Sequence, residues 1–175
     1  MVISVQRMLR MFKTGDFIIF GGYGVCEVTQ IGDLDMEGVS KDRLYYTLRP
    51  YYSKGSVLYT PVDNKKEMIR PVMSREEAQE LINDITNIDY LWVNDERKRE
   101  REYKEAIHSC DCRELIKIIK TIYMRKKHRT ENGKALTAID KKYFNMAEDN
   151  LYGELAVSLG MPKEEVKDYI IQTVS

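Results

Sequence analysis

Hydrophobic and polar residues follow different patterns in the two parts of the chain. From residue 12 to residue 72, short apolar runs alternate with turns rich in Gly, Pro and Asp. Runs of β-branched and aromatic residues with such boundaries are typical of strands. Five strands are predicted, at residues 17–20, 25–31, 43–49, 56–60 and 67–70. Five short strands within about sixty residues favour a small, bent β-barrel of the SH3-like or Tudor-like kind over a sandwich.

A glycine-rich corner separates the first two predicted strands. The sequence GGYG at residues 21–24 supplies the positive φ angles that only glycine adopts at little cost. The same letters resemble a nucleotide-binding loop, but such a loop leads into a helix whose N-terminus binds phosphate. This one joins two strands. We therefore interpret residues 21–24 as a barrel corner.

After residue 73 the apolar residues recur at helical spacing. Ser74 and Glu77 have the spacing of a capping box, which predicts a helix that ends near Asn83. Four further helices are predicted from their start and stop signals, namely Asn94 or Asp95, Asp111, Thr137 with a stop at Gly160, and Pro162. The sequence therefore predicts an α+β fold, with a five-stranded β-barrel domain at residues 11–72 and a compact all-helical domain at residues 73–175.

Composition and charge narrow the class of protein. The chain carries 28 basic and 28 acidic residues, so net charge indicates no partner and only local clusters can. No apolar run approaches the roughly 18 residues of a membrane helix, and we expect no membrane partner. The first ten residues, MVISVQRMLR, lack the apolar core and cleavage site of a secretory signal. They are a short amphipathic extension, residues ahead of a true start at Met11, or residues foreign to the natural protein.

The residues that could carry chemistry do not form a recognisable catalytic or metal site. Cys26 falls in a predicted strand, and Cys110 and Cys112 have only His108 nearby, which leaves a zinc site incomplete. The sequence contains neither a G-x-S-x-G elbow nor a phosphate-binding loop motif, and neither His108 nor His128 has a neighbouring Ser nucleophile. We expect no enzyme, no cofactor and no metal.

Basic residues are concentrated in one part of the helical region. Between Arg97 and Lys134 there are 13 Lys and Arg residues against 6 Asp and Glu residues. They form two clusters, residues 97–104 and residues 125–129. A concentrated basic face attracts the phosphate backbone of a nucleic acid. The alternative is an ordinary solvated helix surface on which neighbouring acidic residues, such as those at 100, 102 and 105, neutralise the bases.

The only tryptophan, Trp92, directly precedes the first basic cluster. It either anchors the start of that helix in the bundle or presents an apolar wedge beside basic residues. Proteins that insert a side chain into the minor groove at a weakened base step use the second arrangement. The sequence by itself favours the anchoring role.

The order of residues adds a family resemblance. The segments GDFIIFGGYGVCEVTQIGD, RLYYTLRP and VLYTPVDN resemble the RNA-polymerase-interacting domain of the CarD/CdnL family of bacterial transcription regulators, a module also found in transcription-repair coupling factors. The matching residues are Gly15, Asp16, Gly24, Val25, Tyr45, Tyr46, Leu48 and Pro61. The resemblance extends to about residue 161, where the helical region matches the family at Arg101, Tyr103, Lys104, residues 125–127 and residues 153–156.

This resemblance implies a function and a set of partners. The barrel would dock on the RNA polymerase β subunit, and the helical domain would touch promoter DNA at the upstream edge of the melted bubble. DNA contact would be sequence-nonspecific, through the minor groove or the backbone, and would stabilise the open complex, particularly at ribosomal RNA promoters. The implied protein is a cytoplasmic, nucleoid-associated monomer.

Two positions depart from the family pattern. Aligning Tyr103 with the family motif puts Arg99 where the family has its wedging tryptophan, whereas Trp92 lies seven residues earlier. Either residue could take that place, since an arginine can enter a minor groove by its charge. Tyr59 stands where some members have a basic residue for the polymerase contact.

The candidate contacts fall into two groups. DNA-binding candidates are Trp92, Arg97, Lys98, Arg99, Arg101, Lys104, Arg125, Lys126 and Lys127. Polymerase-binding candidates, which would act by pairing an exposed strand with the partner's sheet, are Leu34, Asp35, Met36 and Tyr59. The alternative function is a polymerase-binding adaptor whose helical domain binds another protein or dimerises.

Overall fold

The computed structural model of the protein describes residues 12–175, so the predictions for the first eleven residues lie outside the described part. Its strands are β1 Phe17–Phe20, β2 Val25–Gly32, β3 Tyr45–Pro50, β4 Leu58–Pro61 and β5 Ile69–Pro71. Its α-helices are α1 Arg75–Asp84, α2 Glu96–His108, α3 Cys112–Glu131, α4 Ala138–Leu159 and α5 Lys163–Val174. The predicted α+β class is confirmed. None of the described helices is long and apolar enough to cross a membrane.

The five strands form one antiparallel sheet in the order β4-β3-β2-β1-β5, so β4 and β5 are its edges. The register of β2 against β3 shifts between Val28 and Gln30, an irregularity that bends the strand pair. The last three strands begin two residues later than predicted. For β3 the reason is that its pairing with β4 starts only where Tyr45 lies opposite Pro61.

The glycine corner is a short 3-10 turn, Gly21–Tyr23, and it packs against the helices. Gly21 and Gly24 have φ angles of +46° and +72°, which favour glycine. At Gly24 a side chain would also collide, because its Cβ would lie 2.9 Å from Oδ1 of Asn150 on α4. The Asn150 amide donates a hydrogen bond to the Gly22 carbonyl at 3.2 Å. The corner therefore turns the chain and also contacts the helical region.

Side chains at the predicted helix starts satisfy the free amides of the first turn. Ser74 and Glu77 form the complete capping box, with the Glu77 amide donating to the Ser74 hydroxyl at 3.1 Å and the Ser74 amide to the Glu77 carboxylate at 2.7 Å. Asp95, Asp111 and Thr137 cap α2, α3 and α4 by accepting a hydrogen bond from an amide of the first turn. Pro162 precedes the first residue of α5 instead of occupying it.

The buried hydrophobic residues form three clusters, one of which joins the two parts of the chain. The sheet unit (residues 12–72) has a core on one face of the sheet, formed by Ile18, Phe20, Cys26, Val28, Tyr46 and Leu48. The helical unit (residues 73–175) has a larger core among its helices. Ile19 and Val25, on the opposite face of the sheet, pack with Cys110 between α2 and α3. Because neighbouring strand residues face opposite ways, β1 contributes to both contacts. The boundary near residue 72 stays a prediction.

Candidate nucleic-acid interface

The first basic cluster lies on α2, where most of its side chains are exposed. Arg97, Lys98, Arg101 and Lys104 face solvent because the buried stripe of α2 is formed by residues 99, 103, 106 and 107. Arg101 has acidic neighbours on the same helix: Glu102 at 3.2 Å and Glu105 at 3.7 Å. Exposed pairs of this kind are weak. They leave the basic side chains available to a stronger anion.

A groove of about 510 Å³ separates α2 from α4 beside this cluster. Three of the bases, Arg97, Arg101 and Lys104, line one wall, and Lys142 of α4 lines the other. Glu100 is the acidic residue in the groove, and it lies 3.5 Å from the Lys142 amine. The groove therefore has an excess of positive charge along both walls.

Arg99 is not part of this exposed surface. It is only 6% exposed, and its Nε atom is buried without a hydrogen-bond partner. Its guanidinium lies 3.5 Å from the carboxylate of Glu96, one turn earlier on α2. Residue 99 lies one helical turn before the buried Tyr103, so the same face that carries Tyr103 inward also carries Arg99 inward. This orientation is incompatible with a wedge at residue 99 that reaches solvent.

The second basic cluster is divided between the surface and the core. Lys126 and Lys127 are exposed near the end of α3. Arg125 instead turns inward, and its Nε and Nη2 atoms donate to the buried Asp140 carboxylate at 3.2 and 3.1 Å. Tyr103 donates to the other carboxylate oxygen at 3.4 Å, and burial, followed by the charge of Asp140, raises the pKa of Tyr103 to about 12. Arg125 therefore forms a structural ion pair with Asp140.

Trp92 is exposed on a segment that is itself fixed. Its ring is 60% exposed and stacks on Tyr90, with ring centroids 5.4 Å apart. The Leu91 amide donates to the Thr121 hydroxyl at 2.8 Å, and the Lys120 amine lies 4.9 Å from the Tyr90 ring centroid. Leu91 packs against the helical core. It thereby takes the anchoring role that the sequence suggested for Trp92. Trp92 is therefore held at the surface.

The polymerase-binding candidates lie at one end of the sheet. Tyr59 is 45% exposed on the edge strand β4. Residues 34–36 belong to the loop that follows β2, and they do not form a strand. Asp35 and Met36 are exposed and Leu34 is half-buried. Because Gly32 pairs with Tyr45, which in turn pairs with Pro61, this loop leaves the sheet at the end where β4 finishes.

A buried ion pair joins the two units, and the sequence analysis did not predict it. Arg70 of β5 donates two hydrogen bonds to Glu154 of α4, at 2.5 and 2.7 Å. Glu154 is 1% exposed and also accepts from the Met73 amide at 3.0 Å and from the Cys112 thiol at 3.0 Å. Burial opposes the charge of Arg70, but the hydrogen bonds and charge of Glu154 outweigh it and raise the pKa of Arg70. Together, Arg70 and Glu154 form what we call the joint.

The residue before Glu154 completes the joint. The Tyr52 hydroxyl donates to the Gly153 carbonyl at 2.9 Å. A Cβ atom at Gly153 would lie 2.8 Å from the Tyr52 ring, so only glycine permits this approach. The Lys163 amine lies 4.7 Å from the same ring centroid. The GELA segment, residues 153–156, therefore joins α4 to the sheet unit. The one sequence signal was a charged residue between the apolar positions 151 and 155.

The three cysteines are buried and free. Burial raises the pKa of Cys26 to about 12 and that of Cys110 to about 11, and it also raises the pKa of Cys112 well above its usual value. Among the described residues, no group of three or more His, Cys, Asp or Glu side chains is arranged to hold a metal ion. Nucleophilic and metal-binding chemistry both require the thiolate, which this burial disfavours.

The buried thiols predict a loss of stability at alkaline pH. Their pKa values are higher in the folded chain than the roughly 8.5 of an exposed thiol, so rising pH ionises the unfolded chain first. Their contribution is complete below about pH 8.5 and declines as pH rises to the pKa of Cys110 at about 11. Under reducing conditions, we expect the urea midpoint to fall between about pH 8 and pH 10, and to fall less in Cys26→Val. A wild-type urea midpoint that is the same at pH 8 and pH 10 would contradict the prediction.

Comparison with known families gives two matches. Residues 12–73 match the CarD-like/TRCF RID domain, and residues 92–171 match the CarD, C-terminal domain. Together the two matches span both the sheet unit and most of the helical unit. No curated protein matches the chain by sequence.

Proposed function

Because the chain belongs to the CarD-like family of non-catalytic transcription factors, which interact with RNA polymerase, we propose that it joins the polymerase to promoter DNA and stabilises the open complex. In this proposal the sheet unit binds the β subunit and the helical unit contacts DNA at the upstream edge of the bubble. The observation that carries the proposal is the exposed side chain of Trp92, on the segment that leads into the basic helix α2.

The sheet unit offers an edge strand for the polymerase contact. β4 pairs with β3 on one side only, so its other side can extend a partner's sheet by backbone hydrogen bonds. Tyr59 is exposed on this strand, and Met36 is exposed on the adjacent loop. An aromatic and an apolar side chain at the centre of an interface supply much of its binding free energy. The proposed polymerase contact is therefore more apolar than one made by a basic residue at position 59.

The helical unit offers positive charge and an aromatic side chain for DNA. The exposed bases Arg97, Lys98, Arg101 and Lys104 would contact phosphates without reading sequence. Trp92 would insert at a weakened base step in the minor groove. We leave Arg99 and Arg125 out of this role, because the Arg99 side chain is buried and the Arg125 guanidinium is paired with the buried Asp140.

The joint would keep the DNA-contacting helical unit in a fixed position relative to the polymerase-binding sheet unit. A regulator shifts the equilibrium between closed and open complexes only if it binds the open one more tightly. The ion pair of Arg70 with Glu154, and the contact of Tyr52 with Gly153, fix the helices against the sheet. With the sheet unit bound to polymerase, Trp92 would then be held at one place relative to the DNA. That place would be favourable only when the upstream fork has melted.

The polymerase contact can be tested with a charge on the edge strand. Tyr59→Asp is expected to weaken binding to the isolated β subunit by about tenfold or more, since it places an uncompensated charge in a desolvated contact. Binding is measured by biolayer interferometry. The matched control is Tyr23→Asp, which alters a tyrosine at the glycine corner that is 58% exposed. Equal affinities for the two variants would locate the contact elsewhere on the protein.

A further inference from the structure

Exposed aromatic and apolar side chains continue beyond Trp92 onto α3. Tyr90 and Trp92 are 40% and 60% exposed, and Tyr123 and Met124 of α3 are 61% and 39% exposed. Large apolar side chains that are grouped on a surface mark a site of interaction. We call these four residues the aromatic patch. The contacts proposed above use only Trp92 of this patch.

Side-chain contacts align the segment before Trp92 with α3. Asp84 contacts Arg113 at the start of α3 at 2.6 Å, and the Leu91 amide bonds to Thr121 further along the same helix. The segment between them therefore runs in the direction of α3, which rises about 1.5 Å per residue. Trp92 is the next residue of that segment. Its ring stacks on Tyr90, whose ring centroid lies 4.9 Å from the Lys120 amine of α3.

Helical periodicity brings the exposed residues of α3 onto one face. Lys120, Tyr123, Met124 and Lys127 have the i, i+3, i+4, i+7 spacing of a single face. Lys120 lies beneath the segment that precedes Trp92, and its amine contacts the Tyr90 ring. Tyr123, Met124 and Lys127 lie beyond the end of that segment and are exposed. The patch therefore combines aromatic rings with lysine side chains.

We propose that the aromatic patch binds unpaired bases of single-stranded DNA, with Tyr123 and Trp92 as stacking platforms. This inference rests on the proposed DNA contact of the helical unit. Aromatic rings beside lysines fit an unpaired strand, because each base presents a flat face for stacking and each phosphate a negative charge. A duplex hides its base faces, so it can use the lysines but not Tyr123. Lys126 and Lys127 are exposed on the helical turn after Tyr123, and their positive charge favours a polyanion over a protein surface.

The test compares an oligonucleotide that has bases with one that lacks them. The probes are a thymidine strand of about twelve nucleotides and an abasic sugar-phosphate strand of equal length. Trp92 is the only tryptophan in the chain, so its fluorescence reports stacking directly. We expect the thymidine strand to quench this fluorescence and the abasic strand to leave it unchanged. Tyr123→Ala should weaken binding of the thymidine strand by about 5- to 150-fold and leave the abasic strand unaffected.

Controls separate this inference from the proposed function. Tyr23→Ala removes an exposed tyrosine from the glycine corner of the sheet unit and should bind both strands like the wild type. If Tyr123→Ala weakens neither strand, or weakens both equally, the stacking role of Tyr123 is overturned. Should the wild type bind both strands equally and without quenching, the patch contacts no bases and is left to a protein partner. Salt-dependent binding of duplex DNA would in either case keep the proposed function intact.

Discussion

Arg70→Met is expected to destabilise the protein by about 3–5 kcal/mol, because it leaves the buried Glu154 carboxylate without its cationic partner. Glu154 is almost fully buried, so water cannot replace the two hydrogen bonds that the guanidinium donates. The free energy of unfolding is obtained from guanidinium titrations followed by circular dichroism. Unfolding of the whole chain should shift, since the pair connects the sheet unit to α4.

Two further variants make this prediction specific. Arg49→Met removes the cation from an exposed pair with Glu27 and should cost less than about 1 kcal/mol. The double variant Arg70→Met/Glu154→Leu removes both buried charges and should recover much of the lost stability. An Arg70→Met variant as stable as Arg49→Met would show that the joint contributes no more than a surface ion pair.

The second large effect concerns the exposed bases of α2. Replacing Arg97, Lys98 and Lys104 by Ala should lower the slope of log affinity against log salt concentration for duplex DNA by about 2.7, if each residue neutralises one phosphate. At about 0.1 M salt this corresponds to binding roughly 500-fold weaker than that of the wild type. Fluorescence anisotropy with a labelled duplex, repeated over a series of salt concentrations, measures both quantities.

The matched control removes the same number of charges from the sheet unit. Lys54, Lys65 and Lys66 are exposed there, and their replacement by Ala should leave the salt slope unchanged. If both triple variants lower the slope equally, the positive charge of the chain acts without a localised DNA-binding face. Arg99 is left out of the test set because its burial would confound a loss of DNA binding with a loss of folding.

Local signals in the sequence predicted the helix ends well. Ser74, Asp111 and Thr137 cap helices because each side chain satisfies amides only two or three residues away. The same holds for the αL conformation of Gly160 at the end of α4. Interactions within a few residues depend little on the rest of the fold. They can therefore be recognised from neighbouring letters.

The orientation of the basic side chains was harder to predict. Arg99 lies within a run of charged residues, which suggests exposure, yet the position of Tyr103 four residues later carries it inward. Arg125 likewise turns to Asp140, which comes from the following helix. A charge count treats all bases in a cluster alike. The exposed basic residues can be told from the inward-facing ones only when it is known which face of each helix packs against the core.

The joint could not be predicted from the sequence. Arg70 and Glu154 are 84 residues apart, and no local pattern connects a short edge strand to the middle of a helix. The family resemblance pointed to residues 153–156 without giving their role. The structure assigns one, since Gly153 admits the Tyr52 ring and Glu154 binds Arg70. A charged residue on an inward helix stripe indicates a buried partner but does not identify it.

The lifetime of the promoter open complex, measured with purified polymerase after addition of a competitor, tests the central claim most directly. We expect the wild-type protein to lengthen this lifetime, and Trp92→Ala to bind the β subunit normally while losing most of the effect. Trp92 is exposed, so its replacement should leave the fold intact. If the wild type binds polymerase and the lifetime stays unchanged, the protein does not stabilise the open complex. That result would favour an adaptor whose helical unit binds another protein.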